Sequence, residues 1–155
     1  MKYGYCYETK IGVLCLIEEH GALLRCGFDW DETCIQKETA LIKMGIKQVV
    51  EYLEGTRKHF SIPLKLTGTA FEKSVYETLQ NTTYGETISY QMLAKKVSRP
   101  NSYRAVGNAL GKNPLLLFVP CHRVISANGR IGGFTGGLET KRILLDLERG
   151  IHANC

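Results

Sequence analysis

The sequence predicts an α/β protein in two parts, a small N-terminal sheet with one helix and a mainly helical C-terminal half. The first 30 residues alternate short apolar runs with turn residues, as strands do, whereas apolar positions recur at helical spacing after residue 70. The intervening segment 61–69 is extended in character and contains proline and glycine. We therefore expect domains at residues 1–67 and 68–155.

Three strands and one helix are expected in the N-terminal part. The strands are placed at 3–8, 11–18 and 21–28. Thr9-Lys10 and His20-Gly21 supply the turns between them. Residues 42–53 follow as a helix, with Val49, Val50 and Leu53 as its apolar face and Gly55 as its stop. The product is a small mixed α/β domain.

Four helices are expected in the C-terminal part, at 70–80, 90–97, 103–112 and 138–149. Ser89 and Ser102 are suited to cap the second and third helices, because a serine hydroxyl accepts an otherwise unbonded backbone N–H. The short turn 98–101 separates these two helices. This order of helix, turn and helix is typical of a helix-turn-helix motif. In the last helix we expect Ile143, Leu144 and Leu147 to face the core, with Gly150 as the stop.

The charge of the chain is concentrated in its second half. The formal net charge is +5 over 155 residues. Residues 1–69 hold nine basic and nine acidic side chains, whereas residues 70–155 hold eleven and six. An excess of this size fits either a solvated surface or a face that meets a polyanion.

Six cysteines occur, and their surroundings decide how they are interpreted. They are Cys6, Cys15, Cys26, Cys34, Cys121 and Cys155. The start of the chain has no apolar leader and no apolar run is long enough to span a membrane, so we expect thiols in a reducing cytoplasm, or in the nucleus of a eukaryote. The N-terminal cysteines and His20 lack the close pairing of zinc ligands, which favours core thiols and no metal.

Cys121 differs from the other cysteines because His122 follows it directly, within Pro120-Cys121-His122-Arg123-Val124. The apolar run 115–119 precedes this motif, and Pro120 favours an extended residue before it. A thiolate is the reactive form of cysteine, and a neighbouring base raises its population. A Cys-His pair by itself is also compatible with a structural cysteine. On an extended segment the two side chains point apart, so His122 requires a turn or a bridging water to act on the sulfur.

The motif and its surroundings resemble the O6-alkylguanine-DNA alkyltransferases, a family of direct-reversal DNA repair proteins. The resemblance covers most of residues 70–150 and rests on several motifs in the family's order. They are Pro120–Val124, Tyr84–Tyr90, Arg104–Gly107, Gly111–Pro114 and the segment from Gly136-Gly137-Leu138 to Glu148. The first 65 residues resemble the family only in size and position. The resemblance implies a ribonuclease H-like N-terminal domain and a winged helix-turn-helix C-terminal domain.

The resemblance also implies roles for individual residues. Cys121 would accept the alkyl group, His122 would deprotonate it through a water, and Glu148 would orient His122. Asn113 would fix the turn before the motif, and the hydroxyl of Tyr90 would donate toward the base. The pocket would be formed by Val124, Phe134, Thr135 and Gly136. At 134 and 135 some relatives carry tyrosine and serine, which affects the range of alkyl groups accepted.

Double-stranded DNA containing O6-alkylguanine, and O4-alkylthymine, is the implied partner of a monomer that uses no cofactor. DNA contacts are implied for Arg104, Ala105, Gly107, Tyr90 and Arg123, with Arg104 filling the space left by an extruded nucleotide. Without the resemblance, Arg104 is a plain phosphate contact and Glu148 a partner of Arg149 or Lys141. The main alternative is a non-catalytic protein that binds alkylated DNA; a sequence-specific regulator and a cysteine hydrolase are two others.

Overall fold

The computed structural model describes residues 1–97, 99, 101–132, 134 and 137–150, which form two compact units. The first unit comprises Met1–Leu66 together with Pro114–Phe118. The second comprises Thr67–Asn113 and the described residues from Val119 onward. The chain therefore returns to the first unit for five residues, immediately before the Cys121 motif.

The first unit is a four-stranded sheet with one helix. Its strands are β1 (Lys2–Thr9), β2 (Gly12–Glu19), β3 (Ala22–Gly27) and β4 (Ile35–Gln36), and they lie in the order β3-β2-β1-β4. β2 pairs antiparallel with both β1 and β3, whereas β4 pairs parallel with β1. His20 and Gly21 join β2 to β3 with positive φ angles of 53° and 77°, the geometry of a two-residue hairpin turn. The three predicted strands are present, and the two-residue β4 is an addition.

The helix α1 (Ala40–Leu53) packs on the sheet through a glycine. Thr39 caps its first turn by accepting a hydrogen bond from the N–H of Ile42. A Cβ on Gly45 would lie 2.9 Å from the Leu16 side chain, so any larger residue would require that side chain to shift. Leu16 and Ile42 are fully buried, whereas Val50, expected on the apolar face, is 40% exposed.

The second unit is mainly helical. Its helices are α2 (Ala70–Gln80), α3 (Tyr90–Lys96), α4 (Tyr103–Gly111) and α5 (Leu138–Glu148). Two short strands, β5 (Ile88–Ser89) and β6 (Val124–Ile125), pair in parallel, and a 3₁₀ turn (Cys121–Arg123) precedes β6. The Ser89 hydroxyl caps α3 by accepting from the N–H of Met92, as predicted. The N-terminal mixed domain and the C-terminal helical domain of the predicted fold are both present.

Two local predictions were wrong. Ser102 precedes α4 but makes no side-chain cap, because its φ and ψ of −104° and 33° are not those of an extended cap residue. On α5 the buried pair is Leu144 and Leu145, whereas Ile143 is 40% exposed. Apart from these two points, the apolar run 115–119 contains a turn, in which Leu117 has a positive φ of 73°.

The expectation of thiols throughout the N-terminal part was also wrong. Cys6 and Cys15 form a disulfide, because they stand directly opposite each other on β1 and β2 with their Cα atoms 4.0 Å apart. Cys26, Cys34 and Cys121 are thiols. Cys155 lies outside the described residues. Within the described part of the chain, no helix has both the length and the hydropathy needed to cross a bilayer.

Candidate functional site

The 3₁₀ turn Cys121–Arg123 directs three consecutive side chains into the interior of the second unit. All three are buried, with exposed fractions of 4%, 1% and 6% in chain order. Pro120 precedes the turn and cannot donate a hydrogen bond, while its own carbonyl accepts from the N–H of Arg123. The turn replaces the extended geometry considered for the motif, so consecutive side chains are about 120° apart rather than on opposite faces.

Asn113 holds the Cys121 thiol from the end of α4. Its side-chain nitrogen donates to the Val119 carbonyl at 3.0 Å and to the Cys121 Sγ at 3.1 Å. Its own backbone N–H donates to the Leu110 carbonyl. One buried amide therefore ties the chain before Pro120 and the sulfur after it to the same helix end.

Glu148 is the centre of a buried polar network. Its carboxylate lies 2.7 Å from His122 Nε2 and accepts from Arg123 through Nε at 2.8 Å and a terminal nitrogen at 3.1 Å. The backbone N–H of Gly85 donates to it at 3.0 Å. Gly85 has a φ of +85°, and a Cβ there would lie 3.2 Å from the Glu148 carbonyl oxygen. Such extensive pairing is what a buried carboxylate requires.

The position of Arg123 does not support the predicted contact with DNA. Its guanidinium is buried, spans the Glu148 carboxylate and donates to the carbonyl and hydroxyl of Thr82 at 3.0 and 2.9 Å. These bonds direct it into the unit rather than toward solvent. The pairing also replaces the partners Arg149 and Lys141 that were considered for Glu148.

His122 is arranged to act as a base. A carboxylate can only accept, so Nε2 carries the ring proton and Nδ1 keeps its lone pair. Burial lowers the pKa of His122 below its usual 6.5, although the bond to Glu148 acts in the opposite direction. The imidazole is therefore neutral at physiological pH, which is the form that can accept a proton.

Cys121 experiences opposing influences. Burial raises the pKa of its thiol to about 11, while the Asn113 hydrogen bond and the charge of Lys141 lower it. Burial keeps the thiol away from solvent, whereas the Asn113 hydrogen bond and the Lys141 charge favour the thiolate. Because the Cys121 residue is only 4% exposed, its sulfur is reached only by a group inserted from outside.

Lys141 is a buried cation that the sequence did not single out as part of the site. It is fully buried on α5 and its Nζ donates to the Val124 carbonyl at 2.6 Å. Burial lowers the pKa of Lys141 to about 8. The sequence did contain a signal for its burial. Positions 141, 144, 145 and 148 share one helix face, and the last three are two leucines and Glu148.

Only some of the residues predicted to line the pocket are described by the structure. Tyr90 and Phe134 are half-buried. The Tyr90 hydroxyl lies 3.0 Å from the point where a Cβ on Gly132 would stand. Val124 is fully buried in β6. Thr135 and Gly136 lie outside the described residues.

The outer face of α4 is open and basic. Arg104 is exposed and Ala105 and Gly107 are half-buried, while Val106 and Ala109 face the core on the opposite side. No described atom lies within 4 Å of a Cβ built on Gly107. This face has the small side chains and the cation that close approach to a polyanion requires.

No group of three or more His, Cys, Asp or Glu residues capable of holding a metal ion occurs among the residues that the structure describes. The polar clusters discussed above are built instead on hydrogen bonds and ion pairs.

Family models match both halves of the chain. Residues 1–66 match the "6-O-methylguanine DNA methyltransferase, ribonuclease-like domain" and residues 70–150 match the "6-O-methylguanine DNA methyltransferase, DNA binding domain".

Similar proteins cover nearly the whole chain. The constitutive methylated-DNA–protein-cysteine methyltransferase of Bacillus subtilis is 40% identical over 159 residues, covering 96% of each chain. The inducible protein of that species is 47% identical over 102 residues, which is 66% of this chain and 57% of that relative. The structure of Mycobacterium tuberculosis OGT in complex with DNA superimposes with a TM-score of 0.90 at 35% identity, covering 98% of this chain and 96% of that one.

Proposed function

Because the chain belongs to the 6-O-methylguanine DNA methyltransferase family, we propose that it repairs DNA by direct reversal and that Cys121 accepts the alkyl group. One observation carries the assignment of Cys121. It is the thiol that is bonded to Asn113 and adjoins the buried His122–Glu148 pair. Cys26, by contrast, is buried without such polar influences on its titration.

The transfer is an in-line displacement at the alkyl carbon. The Cys121 proton passes to His122 through a water, and the sulfur forms a bond to the carbon as the carbon–O6 bond breaks. The electron pair of the broken bond stays on the guanine, which takes up a proton delivered by the Tyr90 hydroxyl. His122 then gives up its proton to solvent and the Tyr90 oxygen takes one back, so the net change is a thioether at Cys121 and a restored guanine.

The depth of the thiol requires the damaged nucleotide to leave the duplex. A group on a stacked base cannot reach a sulfur that is 4% exposed. Extrusion costs a few kcal/mol in stacking and pairing. Arg104, exposed on the open face of α4, is positioned to occupy the space left in the stack. Lys95, Lys96 and Lys112 are exposed and supply sequence-independent phosphate contacts.

The substrate and assembly follow from the same scheme. We propose double-stranded DNA with O6-alkylguanine as the main substrate and O4-alkylthymine as a second one. The protein acts as a monomer. Each molecule reacts once, because none of the described residues can remove an alkyl group from a thioether. We assign the substrate-handling part to residues 68–155, and a cytoplasmic location remains a prediction from the sequence.

The stoichiometry of repair tests this function. The protein is mixed with a duplex containing one O6-methylguanine, and the guanine formed is counted against protein molecules. One guanine per protein, with the protein heavier by one CH₂ group, supports the proposal. Repeated turnover indicates a hydrolase, and DNA binding without a mass gain indicates a non-catalytic damage-binding protein; either result overturns it.

A further inference from the structure

Tyr76 is a buried polar side chain that the transfer scheme above does not use. It lies on α2 with 1% of its surface exposed, and its hydroxyl donates to the Ala109 carbonyl of α4 at 2.7 Å. Burial raises the pKa of Tyr76 to about 12, so the phenol keeps the proton that it donates at neutral pH. The bond therefore ties α2 to α4 in the interior of the second unit.

The Ala109 carbonyl belongs to the last turn of α4, where the helix tightens. The N–H of Lys112 donates to it at 3.1 Å. The N–H of Asn113 donates to the Leu110 carbonyl at 3.2 Å, which is again a bond to the third residue back. Such bonds form a 3₁₀ turn, whose hydrogen-bond geometry is poorer than that of an α-helix. The bond from Tyr76 is shorter than both, so the end of α4 is held from α2 as well as by its own backbone.

Asn113 follows this turn directly and holds the thiol. Its buried amide bonds the Val119 carbonyl and the Cys121 Sγ at 3.0 and 3.1 Å. A shift in the last turn of α4 would carry the amide away from the sulfur. A displacement of roughly 1 Å in the support of a reacting group can slow a reaction about 100-fold.

We propose that Tyr76 is a positioning residue of the transfer reaction that acts through Asn113. Its hydroxyl fixes the last turn of α4, and that turn fixes the amide that holds the Cys121 sulfur. The role in repair rests on the proposed function, whereas the fixed helix end can be observed in the free protein. Because Ala109 lies on the buried side of α4, the hydroxyl leaves the open face of that helix free for DNA.

Tyr76→Phe removes the hydroxyl and keeps the ring that fills the core. Tyr52→Phe is the matched control, because Tyr52 is equally buried and lies on α1 of the first unit. Single-turnover transfer from an O6-methylguanine duplex is measured per folded molecule over a range of duplex concentrations. For Tyr76→Phe we expect the rate at saturating duplex to fall roughly two- to tenfold, the range that one neutral hydrogen bond controls, with the half-saturating concentration unchanged. Tyr52→Phe should follow the wild type.

A double-mutant cycle with Asn113→Ala separates positioning from a general loss of stability. If Tyr76 acts through Asn113, Tyr76→Phe should cause no further slowing in protein that already carries Asn113→Ala. Rate losses that multiply would show independent roles and would overturn the proposal. An unchanged rate in Tyr76→Phe alone, or weaker duplex binding as its only defect, would also overturn it.

Hydrogen exchange covers the case in which Tyr76→Phe does not fold. In wild-type protein without DNA, the N–H groups of Lys112 and Asn113 should exchange as slowly as those in the buried middle of α4. Exchange at the fast rate of a frayed helix end would contradict a fixed last turn. Slow exchange at both positions in wild-type protein that fails to transfer methyl would refute the proposed function instead.

Discussion

Two buried cysteines, Cys26 in β3 and Cys121 in the 3₁₀ turn, show that the groups around a thiol decide whether it is inert or reactive. Burial alone raises the pKa of Cys26 to about 12. Burial also raises the pKa of Cys121, but only to about 11, because Asn113 and Lys141 act in the opposite direction. Only Cys121 has neighbouring groups that favour its thiolate.

The larger difference lies in what adjoins each thiol. Cys26 sits in a sheet whose core is leucine and isoleucine, whereas Cys121 is followed by a base held by a carboxylate. A general base contributes about 10²- to 10⁴-fold to a reaction. Burial is therefore common to both cysteines, and the polar groups distinguish them.

The largest expected effect on methyl transfer is the difference between replacing Cys121 and replacing Cys26 by alanine. Cys121→Ala should abolish methyl transfer, because the nucleophile is removed, while DNA binding is retained. Cys26→Ala should transfer one methyl group per folded molecule. Intact mass after incubation with methylated duplex measures both, and a full mass gain in Cys121→Ala would assign the chemistry to another residue.

Glu148→Gln should give the next largest effect, on folding as well as transfer. The substitution leaves the buried Arg123 guanidinium without its counter-charge, which costs about 3–5 kcal/mol in the free energy of unfolding. Asp146→Asn on the same helix, at a half-buried position, is the control. Urea unfolding compares the two, and equal losses would show that the Glu148 network contributes nothing specific.

Asn113→Ala should slow transfer by a smaller factor. It removes the donor that favours the thiolate, and a hydrogen bond to a charged group contributes about 1.5–3 kcal/mol, or roughly 10- to 150-fold. Asn81→Ala, at the exposed end of α2, should leave the rate unchanged. Single-turnover kinetics measure both variants, and a Cys121 that reacts at the wild-type rate without Asn113 would remove the amide from the scheme.

The pH dependence of stability should report His122. Its folded-state pKa lies below the unfolded value of 6.5, so between these two values the unfolded chain binds a proton that the folded chain does not. This contribution to stability is complete above pH 6.5 and is lost as the pH falls toward the folded pKa. His122→Gln should lose stability less steeply in that window than the wild type. Parallel curves from chemical unfolding at a series of pH values would contradict the assignment.

Removal of the Cys6–Cys15 disulfide should have the smallest effect on repair. The double substitution of both cysteines by serine should lower thermal stability, since a disulfide typically contributes about 2–4 kcal/mol. The transfer rate should stay within about twofold of the wild type. A large loss of transfer in folded protein would show that the first unit participates in the reaction.

The elements that follow local patterns could be predicted from the sequence. The three strands, the helices and the Ser89 cap depend on alternation, helical spacing and a short polar side chain, all of which are local. The two-residue β4 could not be predicted, because it exists only through its pairing with β1. The disulfide was missed for a related reason, since it depends on the register that places Cys6 opposite Cys15.

The site was predictable in part. Cys121, His122, Asn113 and Glu148 were named from motifs, and the structure pairs Asn113 with Cys121 and Glu148 with His122 on the same 3₁₀ turn. Arg123 was assigned to DNA from the family resemblance, whereas its burial depends on two partners distant in sequence, Glu148 and Thr82. Lys141 was overlooked as a site residue although it shares the buried face of α5 with Glu148, because its partner, a backbone carbonyl, cannot be identified from the sequence.

The location of the methyl group after reaction tests the contrast between the two cysteines most directly. Wild-type protein is incubated with an excess of O6-methylguanine duplex, digested and analysed peptide by peptide by mass spectrometry. We expect one methyl group per molecule, all of it on the Cys121 peptide and none on the Cys26 peptide. Methyl groups shared between the two peptides, or found on Cys26 alone, would contradict the conclusion that the Asn113, His122 and Lys141 surroundings make Cys121 the reactive thiol.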